Sequence, residues 1–256
     1  MTATQTTQFK NVEKKYSLEW YWKNPNFYAP TDPFQCLEYR EQHGEWPFAI
    51  KESDLVEQFY DIITAYQKRR GVWGDQFFTP PEGAAFLASK ANDICSKMTT
   101  ATGSKVAKYD IAVLDACAGF GMLTAAMLKY EFMVEAFERD FALCQCAQRL
   151  FEGHPGLVSI ECEGMEHYNV NDCFDLIIAN PPFSQQMGLE FFRNAPRWAG
   201  QGTIMLAILP NGFAYKTRPA ALVQQLDRWE ILDSWPFPYE FAHTKVKSEL
   251  VCFELK

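Results

Sequence analysis

The chain has 256 residues, with 24 Lys and Arg against 32 Asp and Glu for a formal net charge of −8. That length suits one sizeable α/β domain with a modest extension, or two small domains. The acidic balance argues against a strong non-specific grip on nucleic acid, which rests on phosphate neutralisation by Lys and Arg; a short basic groove, a partner subunit or a second copy of the chain would have to supply one.

The start, Met1 to Gln8, is polar and Thr-rich rather than a signal peptide, and no apolar run is long enough to span a bilayer, so the chain reads as soluble, intracellular and cytoplasmic. Residues 9–50 are aromatic and punctuated by Asn24-Pro25, Asp32-Pro33 and Trp46-Pro47, and no function follows from them. From Asp54, the residues Leu55, Phe59, Ile62, Ile63 and Tyr66 fall on one face of a helix that should end near Gly71. Lys68-Arg69-Arg70 in its last turn suit the helix dipole, with a phosphate contact as the alternative. Next comes Gln76-Phe77-Phe78-Thr79-Pro80-Pro81-Glu82. Thr79 with Glu82 makes a capping box and Pro80 takes the first helical position, predicting a helix to about Lys97. Capping explains Thr79, Pro80 and Glu82 and leaves Gln76-Phe77-Phe78 unexplained.

From Ile111 the chain alternates. Strands are predicted at 111–115, 132–138, 157–161, 174–179 and 203–209, with helices at 121–130, 140–151, 186–199 and 217–228. This βαβα order implies a mostly parallel sheet with helices on both faces. Two further strands, 229–235 and 248–255, are joined by a link too short for a crossover helix, so the last pair should be antiparallel. The eight cysteines show no disulfide framework and no metal-knuckle spacing; Cys117, Cys144, Cys146, Cys162 and Cys173 read as small apolar fillers in a reduced cytosol.

Two turns carry chemistry. In Val113-Leu114-Asp115-Ala116-Cys117-Ala118-Gly119-Phe120-Gly121, a strand end and an acidic residue lead into a Gly-rich turn and a helix. Ligands of such folds sit outside the carboxyl ends of the strands, and Gly119 and Gly121 would let the backbone approach one closely. Thr124 stands where a dinucleotide fingerprint needs its third Gly, and the turn has no Lys for phosphates. Asp115 suits a cationic amino-acid moiety instead, which favours S-adenosylmethionine over a dinucleotide or nucleoside triphosphate; close strand–helix packing is the bland alternative for the glycines. Glu138, ending the second strand, could accept two ribose hydroxyls, while Asp140 better fits a helix N-cap. Glu163, past the third strand, is a candidate to accept from the cofactor's adenine amine, or an ordinary solvated acid.

The second turn is Asn180-Pro181-Pro182-Phe183, directly after the apolar run 174–179. An Asn side chain pairs a donor with an acceptor, two prolines fix φ and remove their own N–H groups, and a planar Phe can cover a ring. Such a turn could hold an exocyclic amine, on a base or a side-chain amide, for methylation.

With these motifs in place, residues 70–256 resemble the S-adenosylmethionine-dependent DNA adenine-N6 methyltransferases whose cofactor region precedes the catalytic region. They resemble most the modification subunits and stand-alone enzymes with an N-terminal Gln-Phe-Phe/Tyr-Thr-Pro motif, here Gln76 to Pro80. The resemblance implies a Rossmann-like class I methyltransferase fold over 71–256, with a seven-stranded, mostly parallel sheet and an antiparallel last strand, behind a mainly helical extension over 1–70. It implies cofactor contacts from Phe78, Thr79, Pro80, Asp115, Cys117, Gly119, Gly121, Glu138 and Glu163, the last matching a family Asp. It implies catalysis by Asn180, Pro181, Pro182 and Phe183, with Phe183 and Phe241 stacking on the flipped base, no metal, and DNA as substrate. The chain stops with the sheet where many relatives carry a recognition domain, so specificity would come from residues 1–70, a specificity subunit or homodimer, or be weak. An RNA adenine-N6 or guanine-N2 methyltransferase, a protein glutamine methyltransferase and a non-catalytic DNA- or partner-binding subunit are the rivals.

Overall fold

The structure, a computed structural model, describes residues 33–46, 55–70, 77–99, 103–170, 173–182, 185–213, 226–242 and 244–256. The chain divides into two compact units, Met1–Gly71 and Val72–Lys256. In the first, helix α1 (Pro33–His43) buries Cys36, Leu37 and Tyr39, and α2 (Leu55–Arg70) buries Leu55, Phe59, Ile62 and Ile63 at the helical spacing read from the sequence. Trp46 is buried with its ring 6.4 Å from Phe59 and the Arg40 guanidinium 4.8 Å above it.

The second unit is built on seven strands. Helix α3 (Pro81–Cys95) comes first, then β1 (Ala112–Ala116), α4 (Met122–Leu128), β2 (Met133–Phe137), α5 (Phe141–Leu150) and β3 (Leu157–Glu161). β4 (Phe174–Ala179), α6 (Gln185–Asn194), β5 (Ala199–Pro210), β6 (Trp229–Phe237) and β7 (Ser248–Leu255) complete it. The sheet order is β3-β2-β1-β4-β5-β7-β6. β1 to β5 run parallel, and β7 lies antiparallel between β5 and β6. The strand order reverses between β1 and β4, which places a crevice at their carboxyl ends.

The strands read as near-continuous apolar runs because both faces are covered. On one face Leu114, Ala116, Phe137, Ile177, Ala179, Met205 and Ala207 share a core with Phe191, Phe192 and Trp198. Trp198 is fully buried and its indole N–H donates to the Tyr168 carbonyl at 3.2 Å, so burying this large ring leaves no polar orphan.

The structure corrects three local readings. Helix α3 starts one residue later than predicted, with Pro80 as N-cap and no side-chain cap bond; Thr79 is not the cap, because its hydroxyl accepts from Asn180 instead. Cys144 and Cys162 are not separate fillers but are joined in a disulfide, since the crossover from α5 into β3 brings their Cα atoms to 5.5 Å. Cys173 is exposed at the start of β4 and fills nothing, whereas Cys146 is buried as expected. The predicted helix 217–228 falls mostly on residues outside those described, as do Gln76, Phe183 and the side chains of Lys68, Arg69 and Arg70.

Candidate functional site

Asp115, the penultimate residue of β1, is fully buried. Its Oδ2 accepts two bonds from Thr124, the backbone N–H at 2.8 Å and the hydroxyl at 2.7 Å. The carboxylate thus pins the first turn of α4 to the strand that feeds it. Its Oδ1 is buried without a partner. Burial pushes this carboxyl up to about 7, against the opposing pull of the two Thr124 bonds. Thr124, which the sequence marked only as a departure from a dinucleotide fingerprint, is therefore a structural member of the turn.

The turn itself needs left-handed backbone. Gly119 has φ +61° and Gly121, the N-cap of α4, has φ +94°. A Cβ on Gly121 would also collide, standing 2.4 Å from Phe151, and one on Gly119 would make a tight contact 3.3 Å from the Phe78 ring. Cys117 adopts φ +66° without being Gly, a conformation that costs on the order of 1–3 kcal/mol and is seen mostly where a site requires it.

Glu138 follows β2 and is buried. Its Oε2 accepts from the Gly119 N–H and its Oε1 from the Asp140 N–H, both at 2.7 Å, so one carboxylate ties the Gly turn to the β2–α5 turn. A carboxylate offers about four acceptor sites, so Glu138 keeps capacity for a further donor. Burial raises the Glu138 carboxyl above its ordinary range, opposed by its backbone donors. Asp140 caps α5 by accepting from Ala142 at 3.0 Å and Leu143 at 3.1 Å, the role its position suggested. Phe141, the next residue, is 63% exposed, a ring the sequence reading passed over. Its signal was an apolar residue directly after an N-cap, off the buried face of α5.

Glu163 lies just past the end of β3. It is exposed and lines a cavity of about 430 Å³ together with Glu135, Glu161 and Tyr168.

β4 pairs with β1 so that Ala179 lies opposite Ala116, which sets Asn180 beside the start of the Gly turn. Asn180 is half-buried, Pro181 buried and Pro182 half-buried. The Asn180 amide nitrogen donates to the Phe77 carbonyl at 2.6 Å and to the Thr79 hydroxyl at 3.1 Å. Phe78, between them, meets Phe120 edge-on with centroids 5.0 Å apart. The 77–80 segment therefore touches both turns, and this is what capping left unexplained in Phe77 and Phe78. Pro80 is buried at the head of α3. Phe241 is 3% exposed and stacked on Phe237, with centroids 5.8 Å apart, so its ring lies within the core rather than at the crevice.

This crevice fits S-adenosylmethionine. The unpartnered Asp115 Oδ1 and the absence of any Lys or Arg between residues 115 and 124 suit a ligand with a cationic amino-acid end and no phosphate. Among the described residues, no group of His, Cys, Asp and Glu is placed to hold a metal ion.

The sequence profile of the methyltransferase small domain matches residues 86–230. No curated protein matches the chain. Among solved structures, a proposed class I S-adenosylmethionine-dependent methyltransferase from Listeria monocytogenes superposes with TM-score 0.60 at 12% identity, over 80% of this chain and 70% of that one. A modification subunit of a proposed type I restriction enzyme from Vibrio vulnificus gives TM-score 0.60 at 14% identity, over 81% of this chain and 51% of that subunit, about half its length. A proposed RNA methyltransferase from Pyrococcus horikoshii gives 0.52 at 18% identity, over 70% and 86%. These likenesses establish the fold, and the profile spans both the Gly turn and the Asn180 turn. The chain belongs to the methyltransferase small domain family, and it is a methyltransferase that uses S-adenosylmethionine.

Proposed function

We propose that the protein methylates the N6 amino group of adenine in DNA after the base has left the duplex. The observation that carries the reading is the 77–80 segment, which binds the Asn180 amide through Phe77 and Thr79 while Phe78 covers the Gly turn. It gives the Gln-Phe-Phe-Thr-Pro motif of the DNA enzymes a physical task at both turns.

S-adenosylmethionine, when bound, supplies an electrophilic methyl group. Asp115 and Glu138 would hold its amino-acid and ribose ends, Cys117, Gly119 and Gly121 would line its path, and Phe78 and Pro80 would close over it, while Thr79 between them is turned to Asn180. Phe141 and Glu163 are the candidates at the adenine end. The Asn180 side-chain oxygen and the Pro181 carbonyl would accept the two hydrogens of the substrate amine. That draws the nitrogen out of conjugation with its ring and frees its lone pair to attack; Pro182 holds the turn rigid. The proton leaves to solvent afterwards, so positioning and electrostatics carry most of the rate. Base extrusion costs a few kcal/mol, offset by about 1–3 kcal/mol per stacked base. Phe183 is the candidate platform. Lys245 and Lys247 are exposed before β7 and available to phosphates. Recognition of a target sequence would come from residues 1–71, a specificity subunit or a second copy of the chain. We place the enzyme in the cytoplasm.

The test is labelled-methyl transfer from S-adenosylmethionine to unmethylated duplex DNA, total RNA and protein, with product nucleosides resolved by mass spectrometry. N6-methyladenine in DNA is the expected product, and Asn180→Ala should keep cofactor affinity while losing more than nine-tenths of turnover. A protein that binds the cofactor yet labels only RNA or protein would overturn the DNA assignment.

A further inference from the structure

We infer that Thr79 is a positioning residue, which fixes the Asn180 amide so that its nitrogen faces inward and its oxygen alone is offered to the substrate. The inference rests on the proposed role of Asn180 as the acceptor of a substrate amine.

An Asn side chain has nearly the same shape in its two flipped states, so shape does not decide which end faces the substrate. Chemistry does. The Phe77 carbonyl can only accept, and it lies 2.6 Å from Asn180 Nδ2. A flipped amide would set two carbonyl oxygens at that distance. The second N–H goes to the Thr79 hydroxyl at 3.1 Å. Both amide hydrogens are thereby consumed within the protein, and the oxygen is the end left to accept. A site of this kind rewards a group that donates N–H and offers nothing to one that only accepts, so it selects an amine over a ring carbonyl.

The Thr79 bond is long-range, 101 residues in sequence from Asn180, and made by a residue that is 3% exposed. It is made at the expense of capping: α3 begins at a Pro80 N-cap with no side-chain cap bond, leaving the Thr79 oxygen to Asn180. A valine has nearly the same volume but no oxygen. In its presence one amide hydrogen is orphaned, and the amide is held by the Phe77 bond alone, about which it can swing. The variant loses that hydrogen bond, and with it alignment at the reacting centre.

The experiment compares wild type, Thr79→Val, Thr79→Ser and Asn180→Ala in the full chain. The first readout needs no turnover: exchange of the Asn180 side-chain amide protons with water, followed by NMR in protein labelled at Asn nitrogen and assigned by the signals lost in Asn180→Ala. One of the two protons should exchange about ten-fold faster or more in Thr79→Val and return towards wild type in Thr79→Ser. The second readout is methyl transfer alongside cofactor affinity. Thr79→Val should lower kcat about ten-fold or more with cofactor Kd within about two-fold, and Thr79→Ser should recover most of the rate. Unchanged exchange in Thr79→Val, or a rate loss matched by weaker cofactor binding, would overturn the inference, the latter by making Thr79 a cofactor contact. Full activity in Asn180→Ala would instead overturn the proposed role of Asn180 itself, and the amide exchange result would stand apart from that failure.

Discussion

Burial pushes the Asp115 carboxyl up to about 7, with the Thr124 bonds opposing the shift and the nearby Glu138 charge adding to it. A carboxyl whose folded value lies above its unfolded one keeps its proton longer in the folded state. Its contribution to stability is therefore complete below about 4, declines as pH rises, and settles at a constant penalty above about 7. Asp115→Asn removes that titration. Relative to wild type, the variant should gain stability as pH is raised from 4 to 7, by on the order of a few kcal/mol. Urea unfolding at a series of pH values reads this, and parallel curves for the two proteins would refute it. The same substitution should weaken S-adenosylmethionine, because the Asp115 Oδ1 that lacks a donor would be replaced in charge. Gly121 permits a second test at this scale. Gly121→Ala meets both an unfavourable φ of +94° and a Cβ 2.4 Å from Phe151, whereas Gly153→Ala meets only φ +76° with open space around it. The first should cost about 2–4 kcal/mol and the second about 1 kcal/mol. Equal losses in denaturant melts would show that Phe151 yields freely.

At the level of elements, β3, β4 and β7 occupy the predicted spans because uninterrupted apolar runs bounded by polar turns leave a strand little choice of ends. β5 begins earlier than its apolar core: Ala199 already pairs with Phe174 of β4, and a register shift follows before pairing resumes at Ile204. The head of α3 was misread for a different reason: Thr, Pro and Glu satisfy a local capping rule, and only a partner about a hundred residues away shows that the Thr79 oxygen is taken. The same holds for Glu138, whose position was legible but whose clasp of Gly119 and Asp140 depends on two turns meeting. Cys144 and Cys162 were illegible as a pair because sequence separation says nothing about which Cys face each other across a crossover. Their bond ties α5 to the segment leading into Glu163, on the adenine side of the proposed site. Protein purified in air and denatured without reductant should show six reactive thiols, and eight after reduction. Eight in both conditions would mean that the pair stands as thiols, as a reducing cytosol would favour.

For the whole molecule, the division near Gly71 separates a small helical unit from the family fold. All the residues assigned to the two turns, and those of the 77–80 segment, belong to the larger unit. Residues 72–256 expressed alone should therefore bind S-adenosylmethionine with the affinity of the full chain, to within about two-fold by calorimetry. A ten-fold loss would show that residues 1–71 support the cofactor site directly. Transfer to DNA is the activity that should fall on this truncation if the smaller unit supplies target recognition. The net charge of −8 agrees with that division of labour: a chain so acidic gains little from phosphate attraction and must rely on local grip or a partner.

The position of β7 between β5 and β6 has a consequence for how the chain is made. A ribosome delivers β6 before β7, so the newly made β6 has no neighbour to pair with, and the long apolar edge of β5 stays open until Ser248–Leu255 emerges and slides between them. Throughout that interval the nascent chain displays the kind of unpaired edge that recruits other chains. Soluble yield should accordingly depend steeply on how fast the last strand arrives and on chaperone supply during synthesis, more than on the stability of the finished fold.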